Sequence, residues 1–191
     1  EDEQFEAYRA VAQGMAGRPV TIRTFDLGAD KSVAGLDGLA RVAPNPALGL
    51  RALRLLFAQP EMLRTQIRAI LQASADGPIR LLLPMVSSAE EVRRVRDLVQ
   101  TCHEELRREG RRHDPDLPVG AMIESPAAAV MAAEIAAEAD FLSVGTNDLT
   151  MYLLAVDRDA SHLASYYDPF HPAFLRTLRK IVQAGKAANK P

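Results

Sequence analysis

The sequence predicts an α/β protein with parallel strands, a partial (β/α)8 barrel of about four strands with their helices. Short apolar or β-branched runs alternate with longer amphipathic segments four times in succession, the pattern of strand-to-helix crossovers. Two of those runs lead into an acidic residue, Glu124 directly and Asp148 after Gly145-Thr146-Asn147, where parallel α/β folds carry their chemistry. A Gly-rich phosphate loop is missing, which argues against an open nucleotide-binding sheet. A complete barrel takes about 250 residues, so a chain of 191 residues accommodates part of one.

Each element has a local reason. Phe5, Tyr8, Val11 and Ala12 recur at helical spacing within Glu1 to Met15, predicting an amphipathic helix. Pro19 to Phe25 is β-branched enough for a strand, with Asp26 to Lys31 as its exit loop. From Ser32 to Pro46 the Gly, Pro and Asn content predicts a long irregular connection of the kind that often carries function. Residues 47–57 and 60–74 are helical by periodicity, broken at Gln59-Pro60. Arg80 to Val86 has the length and continuous apolar character of a buried strand. Ser88 and Glu91 form a capping box for a helix from about Ala89 to Glu109, which Gly110 stops. A polar loop leads to a strand at Val119 to Ile123. Pro126 suits the first turn of the alanine-rich helix from Ala127 to Glu138. Phe141 to Val144 is the fourth strand, Leu149 to Val156 a helix, Asp157 to Pro172 a loop and Ala173 to Ala184 the last helix.

Composition excludes several functions. With 48% hydrophobic and 25% charged residues the chain can bury a core. A net charge of -2 and a pI near 6.1 give no electrostatic case for nucleic acid or a membrane surface. No apolar run is long enough for a span and no signal pattern opens the chain, so a cytoplasmic location is expected. Four of the 23 cationic residues are lysine; converging arginines would favour paired anion recognition, and genomic bias explains the count equally well. Cys102, the single cysteine, excludes an intrachain disulfide and falls within a helix as a packed or solvent-facing thiol. The four histidines lack metal-ligand spacing, and there is no nucleophile elbow.

Met122-Ile123-Glu124-Ser125-Pro126 and Gly145-Thr146-Asn147-Asp148-Leu149-Thr150 are one crossover apart. Adjacent parallel strand ends lie roughly 5 Å apart, so Glu124 and Asp148 can converge on one hard cation. Mg²⁺ is the natural guest, because it takes one or two carboxylates and completes its octahedron with water and substrate oxygens. Taken singly, each residue has a plainer reading: a helix cap for Asn147 or Asp148, a surface role for Glu124.

Several motifs resemble one family in order along nearly the whole chain: Thr21 to Lys31, Asn45 to Ala52, Leu83-Pro84-Met85, Met122 to Ala128, and Val144 to Thr150 continuing through Ala155-Val156-Asp157-Arg158. They are similar to enzyme I of the bacterial phosphotransferase system, the phosphoenolpyruvate-protein phosphotransferases. Pyruvate phosphate dikinase and phosphoenolpyruvate synthase share the acids, but the Ala-Val-Asp-Arg continuation favours enzyme I. The resemblance implies that residues 1–191 are an internal part of the phosphoenolpyruvate-binding barrel, roughly strands three to six. It also implies that the phosphohistidine domain and the first and last barrel strands, with an arginine before Glu1 and a catalytic cysteine after Pro191, are absent. No catalytic residue is then expected here. Carried over by position, the resemblance assigns Glu124 and Asp148 to Mg²⁺, and Arg23, Asn147 and Arg158 to the phosphate or carboxylate of phosphoenolpyruvate. Arg51 is a second-tier candidate, Asp30 and Lys31 are balanced between scaffold and contact, and Met151 replaces a glutamine usual in the family. A surface salt bridge is the plainer role for Arg23.

The implied activity is phosphoryl transfer from phosphoenolpyruvate to a protein histidine, and then to a small histidine-bearing carrier protein in sugar uptake, by a homodimeric parent. Two other functions fit less of the sequence. A Mg²⁺-dependent lyase of a pyruvate-like substrate can use the same acid pair on a related barrel, and a non-catalytic binding or dimerisation fragment needs neither.

Overall fold

A computed structural model describes residues 1–27 and 45–191; the expected loop from Ser32 as far as residue 44, together with Asp30 and Lys31, lies outside the described residues. Two compact units divide the chain, residues 1–84 with 98–117, and residues 85–97 with 118–191.

The first unit opens with α1 (Asp2–Gly14), whose small and apolar side packs against α3 (Pro60–Ala73). β1 (Val20–Arg23) and β2 (Ile79–Leu83) run parallel, with Val20 opposite Ile79 and Arg23 opposite Leu82. Between them lie a 3-10 turn (Pro46–Leu48), α2 (Ala52–Ala58) and α3. The expected helix from residue 47 thus starts only at Ala52, because Gly49 is extended and Arg51 caps it in a β conformation. Gln59-Pro60 makes the expected break, with Pro60 opening α3. Leu53, Leu56, Leu63, Ile67, Ile70, Leu71, Leu81, Leu83 and Leu106 form the core, each essentially without exposure. Gly77 lies 3.1 Å, measured from where a Cβ would stand, from the Ala12 carbonyl, so α1 comes down closely on the turn before β2.

The long helix α4 (Ala89–Arg108) begins in the second unit and ends in the first. Its capping box is formed: Glu91 N–H donates to Ser88 Oγ at 3.3 Å, and Glu91 Oε2 accepts Ser87 and Ser88 N–H at 2.6 and 3.2 Å. Gly110 ends it at φ +69, a left-handed stop that glycine adopts without strain.

In the second unit β3 (Val119–Ile123) and β4 (Phe141–Val144) are parallel, Gly120 facing Phe141 and Ile123 facing Val144. A side chain at Gly120 would collide with the Phe141 ring, which therefore fills the space glycine leaves. The predicted helix between the strands is broken at Met131 into α5 (Pro126–Val130) and α6 (Ala132–Glu138). After β4 come α7 (Thr146–Leu154), a 3-10 segment (Ser161–Tyr166) and α8 (Pro172–Ala187). Among the described residues no helix is long and apolar enough to cross a membrane.

Candidate metal and phosphate site

Glu124 is the first residue past β3. Its strand is apolar on both faces, and Pro126, which lacks an N–H, starts α5, so the exit is confined to Glu124 and Ser125. Ser125 Oγ accepts the Ala128 N–H at 3.1 Å as the helix cap and donates to the Val86 carbonyl at 3.2 Å. Glu124 is left only 3% exposed, with Oε1 accepting the Met85 N–H at 2.6 Å. Met85 adopts φ +54, a left-handed conformation that costs an ordinary residue about 1–3 kcal/mol. Its amide bond to a buried carboxylate is the charge-assisted contact that offsets this strain.

Gly145 closes the other side of Glu124. A Cβ there would fall on a Glu124 carboxylate oxygen and 2.6 Å from the Glu124 Cβ, so glycine alone lets the exit of β4 approach. Its N–H donates to the Ile123 carbonyl at 3.1 Å, extending the pairing of β3 and β4 by one bond. The same glycine caps α7, its carbonyl accepting the Leu149 N–H at 2.9 Å. Helix α7 therefore begins three residues before the expected Leu149, and neither Asn147 nor Asp148 is the cap. Both stand in the first turn, where the helix dipole favours negative charge. Asp148 is buried at 5% exposure. Asn147 is exposed, and its backbone carbonyl accepts the Tyr167 hydroxyl at 3.2 Å.

Arg158 reaches Asp148 from the other end of α7. Ala155 stops the helix at φ 53 and ψ 41, and the Val156 N–H returns to the Met151 carbonyl at 3.0 Å. A tight turn follows, in which Asp157 Oδ1 accepts the Asp159 N–H at 3.0 Å. From this turn Arg158 Nη1 donates to Asp148 Oδ1 at 2.7 Å. The acid side chain is 7% exposed and the arginine 36%. Met151 is buried in the same helix.

Glu124, Asn147, Asp148 and Arg158 all belong to the second unit, while Arg23 belongs to the first. There Arg23 Nη1 lies 3.4 Å from Asp26 Oδ2, the strand-end ion pair that is its plainer role. Arg51 grips the same acid with Nε on Oδ1 at 3.1 Å and Nη2 on Oδ2 at 2.9 Å. At this fork both side chains are largely enclosed, 14% exposed for Arg51 and 7% for Asp26.

Chemically, the site offers two buried carboxylates, Glu124 packed against Gly145 and Asp148 in the first turn of the helix that Gly145 caps, with a solvent-reaching guanidinium on Asp148. Among the described residues no three His, Cys, Asp or Glu side chains gather around one point. A carboxylate pair fits Mg²⁺, which needs few protein ligands, better than a metal that demands a full protein cage. Sequence reasoning assigned no role to Met85 or Gly145. Gly145 carried a signal, a glycine between a strand and a first-turn acid. Met85 carried none, since nothing in its type announces a left-handed backbone.

Comparison with known proteins identifies the family of the chain. The family profile described as "PEP-utilising enzyme, PEP-binding domain" matches residues 1–191. A phosphoenolpyruvate-protein phosphotransferase of Cupriavidus necator is 46% identical over 191 residues, 100% of this chain and 33% of that protein. One from Haemophilus influenzae is 44% identical over 190 residues, again 100% of this chain and 33% of the relative. The chain thus spans about a third of the length of these curated relatives. Among solved structures, a citrate lyase from Burkholderia xenovorans LB400 superposes with a TM-score of 0.52 at 24% identity, covering 66% of this chain and 38% of that one. That likeness is one of fold, and it agrees with the predicted class of a partial (β/α)8 barrel with parallel strands. The match over all 191 residues shows that the chain belongs to the PEP-utilising enzymes, within their PEP-binding domain.

Proposed function

We propose that this chain is the substrate- and metal-binding segment of a cytoplasmic, homodimeric phosphoenolpyruvate-protein phosphotransferase, whose phosphohistidine domain and remaining barrel strands lie outside residues 1–191. The observation that carries the reading is the burial of two acids, Glu124 against Gly145 and Asp148 in the first turn of the helix that Gly145 caps, in a chain of the family described as PEP-utilising.

Glu124 and Asp148 would hold Mg²⁺, which when bound supplies charge neutralisation for the transferring phosphoryl group. The protein's own residues orient and select. Met85 N–H occupies Glu124 Oε1 and fixes the direction of that carboxylate. Arg158 offers a planar set of donors to a phosphate or carboxylate oxygen, and Asn147, exposed in the first turn of α7, adds an amide where the helix dipole favours an anion. By its resemblance to the family, Arg23 is a proposed further donor to the phosphate or carboxylate of phosphoenolpyruvate. In the overall step the phosphoryl group leaves the enol oxygen, a P–O bond breaking as a P–N bond forms on the acceptor histidine. The released enolate is protonated to pyruvate. The phosphohistidine then passes its phosphoryl group to the small carrier protein that serves sugar uptake.

Incubating the full-length protein with labelled phosphoenolpyruvate, Mg²⁺ and the carrier protein is expected to give acid-labile phosphohistidine on both proteins. The 191-residue chain alone is expected to give none. Arg23→Lys, which keeps the charge and loses the fork, is expected to raise KM for phosphoenolpyruvate about tenfold. Retro-aldol or lyase turnover of a pyruvate-like substrate, without phosphohistidine, would replace this reading.

A further inference from the structure

Two arginine-to-aspartate contacts in this molecule are built differently. Arg51 holds Asp26 with two bonds, and both side chains are largely enclosed. Arg158 meets Asp148 with an acid that is deep and a guanidinium that reaches solvent. It hangs from the turn after the left-handed Ala155, and a second acid, Asp159, 88% exposed, lies 4.0 Å from its Nε. The guanidinium therefore has another carboxylate to move to without leaving the turn.

Asp148, whose Oδ1 receives Arg158, is one of the two acids that would hold the proposed cation. A divalent ion and a guanidinium sharing one buried carboxylate bring like charges to roughly 4–5 Å, where water screens them poorly. From this geometry we propose that Arg158 is an exchangeable latch on Asp148. It must leave before a divalent cation binds, and an anionic phosphorylated carboxylate draws it away, so that cation and anion bind cooperatively. The proposal rests on the reading in which Asp148 takes the metal, and it adds a coupling between two ligands that neither site has alone. Coupling of this kind is reciprocal: whatever factor the anion adds to cation affinity, the cation adds to anion affinity.

The test is a titration of Mn²⁺, followed by electron paramagnetic resonance, on the full-length protein with and without phosphoenolpyruvate. In the unsubstituted protein, phosphoenolpyruvate is expected to tighten Mn²⁺ binding. Arg158→Gln is expected to bind Mn²⁺ about tenfold more tightly in the absence of phosphoenolpyruvate and to lose most of the tightening that phosphoenolpyruvate brings. Mn²⁺ binding by Arg158→Gln that is unchanged or weaker would overturn the latch. Mn²⁺ binding by Asp148→Asn equal to that of the unsubstituted protein would instead overturn the metal assignment beneath it. A measurement that needs no substitution guards against misfolding of the variants. In a crystal of the unsubstituted protein soaked in Mg²⁺ alone, Arg158 is expected to have left Asp148 for Asp159 or solvent. A cation seated on Asp148 with the 2.7 Å contact intact would also overturn the latch.

Discussion

The first unit buries Arg68 among acids, and the second buries Asp148 beside an arginine, yet the two arrangements are built in opposite ways. Arg68 is 7% exposed and reaches Glu1 at 2.8 Å, Glu105 at 3.1 Å and Glu109 at 2.7 Å, each through a different guanidinium nitrogen. Three elements, the start of α1, α3 and the end of α4, are tied at one point. Its hydrogen bonds to Glu109 and Glu1 raise the Arg68 pKa still further, so it stays charged at every accessible pH. Asp148, by contrast, meets an arginine that is a third exposed and has a second acid in reach. A buried charge surrounded by fixed partners becomes a brace. One whose partner can move away becomes a place where a ligand can enter.

Separating the two requires variants that move activity and stability in opposite ways. Asp148→Ala in the full-length protein is expected to lower Mg²⁺-dependent turnover about 100-fold or more, while its denaturant midpoint changes little or rises as a buried charge is removed. Turnover assays beside urea unfolding check both halves. Arg68→Met should do the reverse. Leaving acids behind a lost guanidinium is expected to cost about 2–4 kcal/mol, below the value for fully buried pairs because Glu109 is half-exposed, with Mn²⁺ affinity unchanged.

The same brace predicts a pH dependence. Burial alone would raise the Glu1 carboxyl, but hydrogen bonds from Arg68 and Gln72 bring it below its ordinary 4.5, and the Arg68 bond lowers Glu109 likewise. Depressed carboxylates stabilise the fold above their unfolded pKa, so this contribution is present above about pH 4.5 and is lost as the pH falls through the lower folded values. Urea unfolding at several pH values should show a shallower acid limb for Arg68→Met.

A smaller effect tests the packing beneath the acids. Gly145→Ala places a methyl group against Glu124, and overpacking of this kind costs about 1–3 kcal/mol. It is expected to weaken Mn²⁺ binding as well, since the Glu124 carboxylate must turn or the exit of β4 must shift. Gly110→Ala, strained at φ +69 in open space, supplies the control. It is expected to lose about 1 kcal/mol and leave Mn²⁺ binding alone.

The smallest effect concerns Cys102, buried in the unit that Arg68 braces. Burial first, then the charge of Glu105, pushes its thiol up to about 12. The folded state therefore keeps the thiol protonated, and its contribution is complete below the unfolded value of 9.0 and lost as the pH climbs toward 12. At pH 8, iodoacetamide is expected to label the native protein no faster than the protein unfolds. In Arg68→Met labelling should accelerate with the loss of stability, and in Asp148→Ala it should not.

Local residue chemistry determined a good deal by itself. The runs Val119–Ile123 and Phe141–Val144 are strands as read, because continuous apolar segments bounded by polar turns have few other uses. The Ser88 and Glu91 box forms as read because its bonds span only three residues. Both candidate acids were legible because each follows a strand in a recognisable motif. What only tertiary structure decided involves partners distant in sequence. The break at Met131 and the start of α7 at Thr146 leave no trace in the periodicity of side-chain types. Met85 turns left-handed to serve Glu124, 39 residues away. Arg51 meets Asp26 across 25 residues, and Arg158 lies one helix beyond Asp148 yet returns to it only because Ala155 reverses the chain. Side-chain type sets which bonds a residue can make. The folded chain sets which partner is close enough to make them.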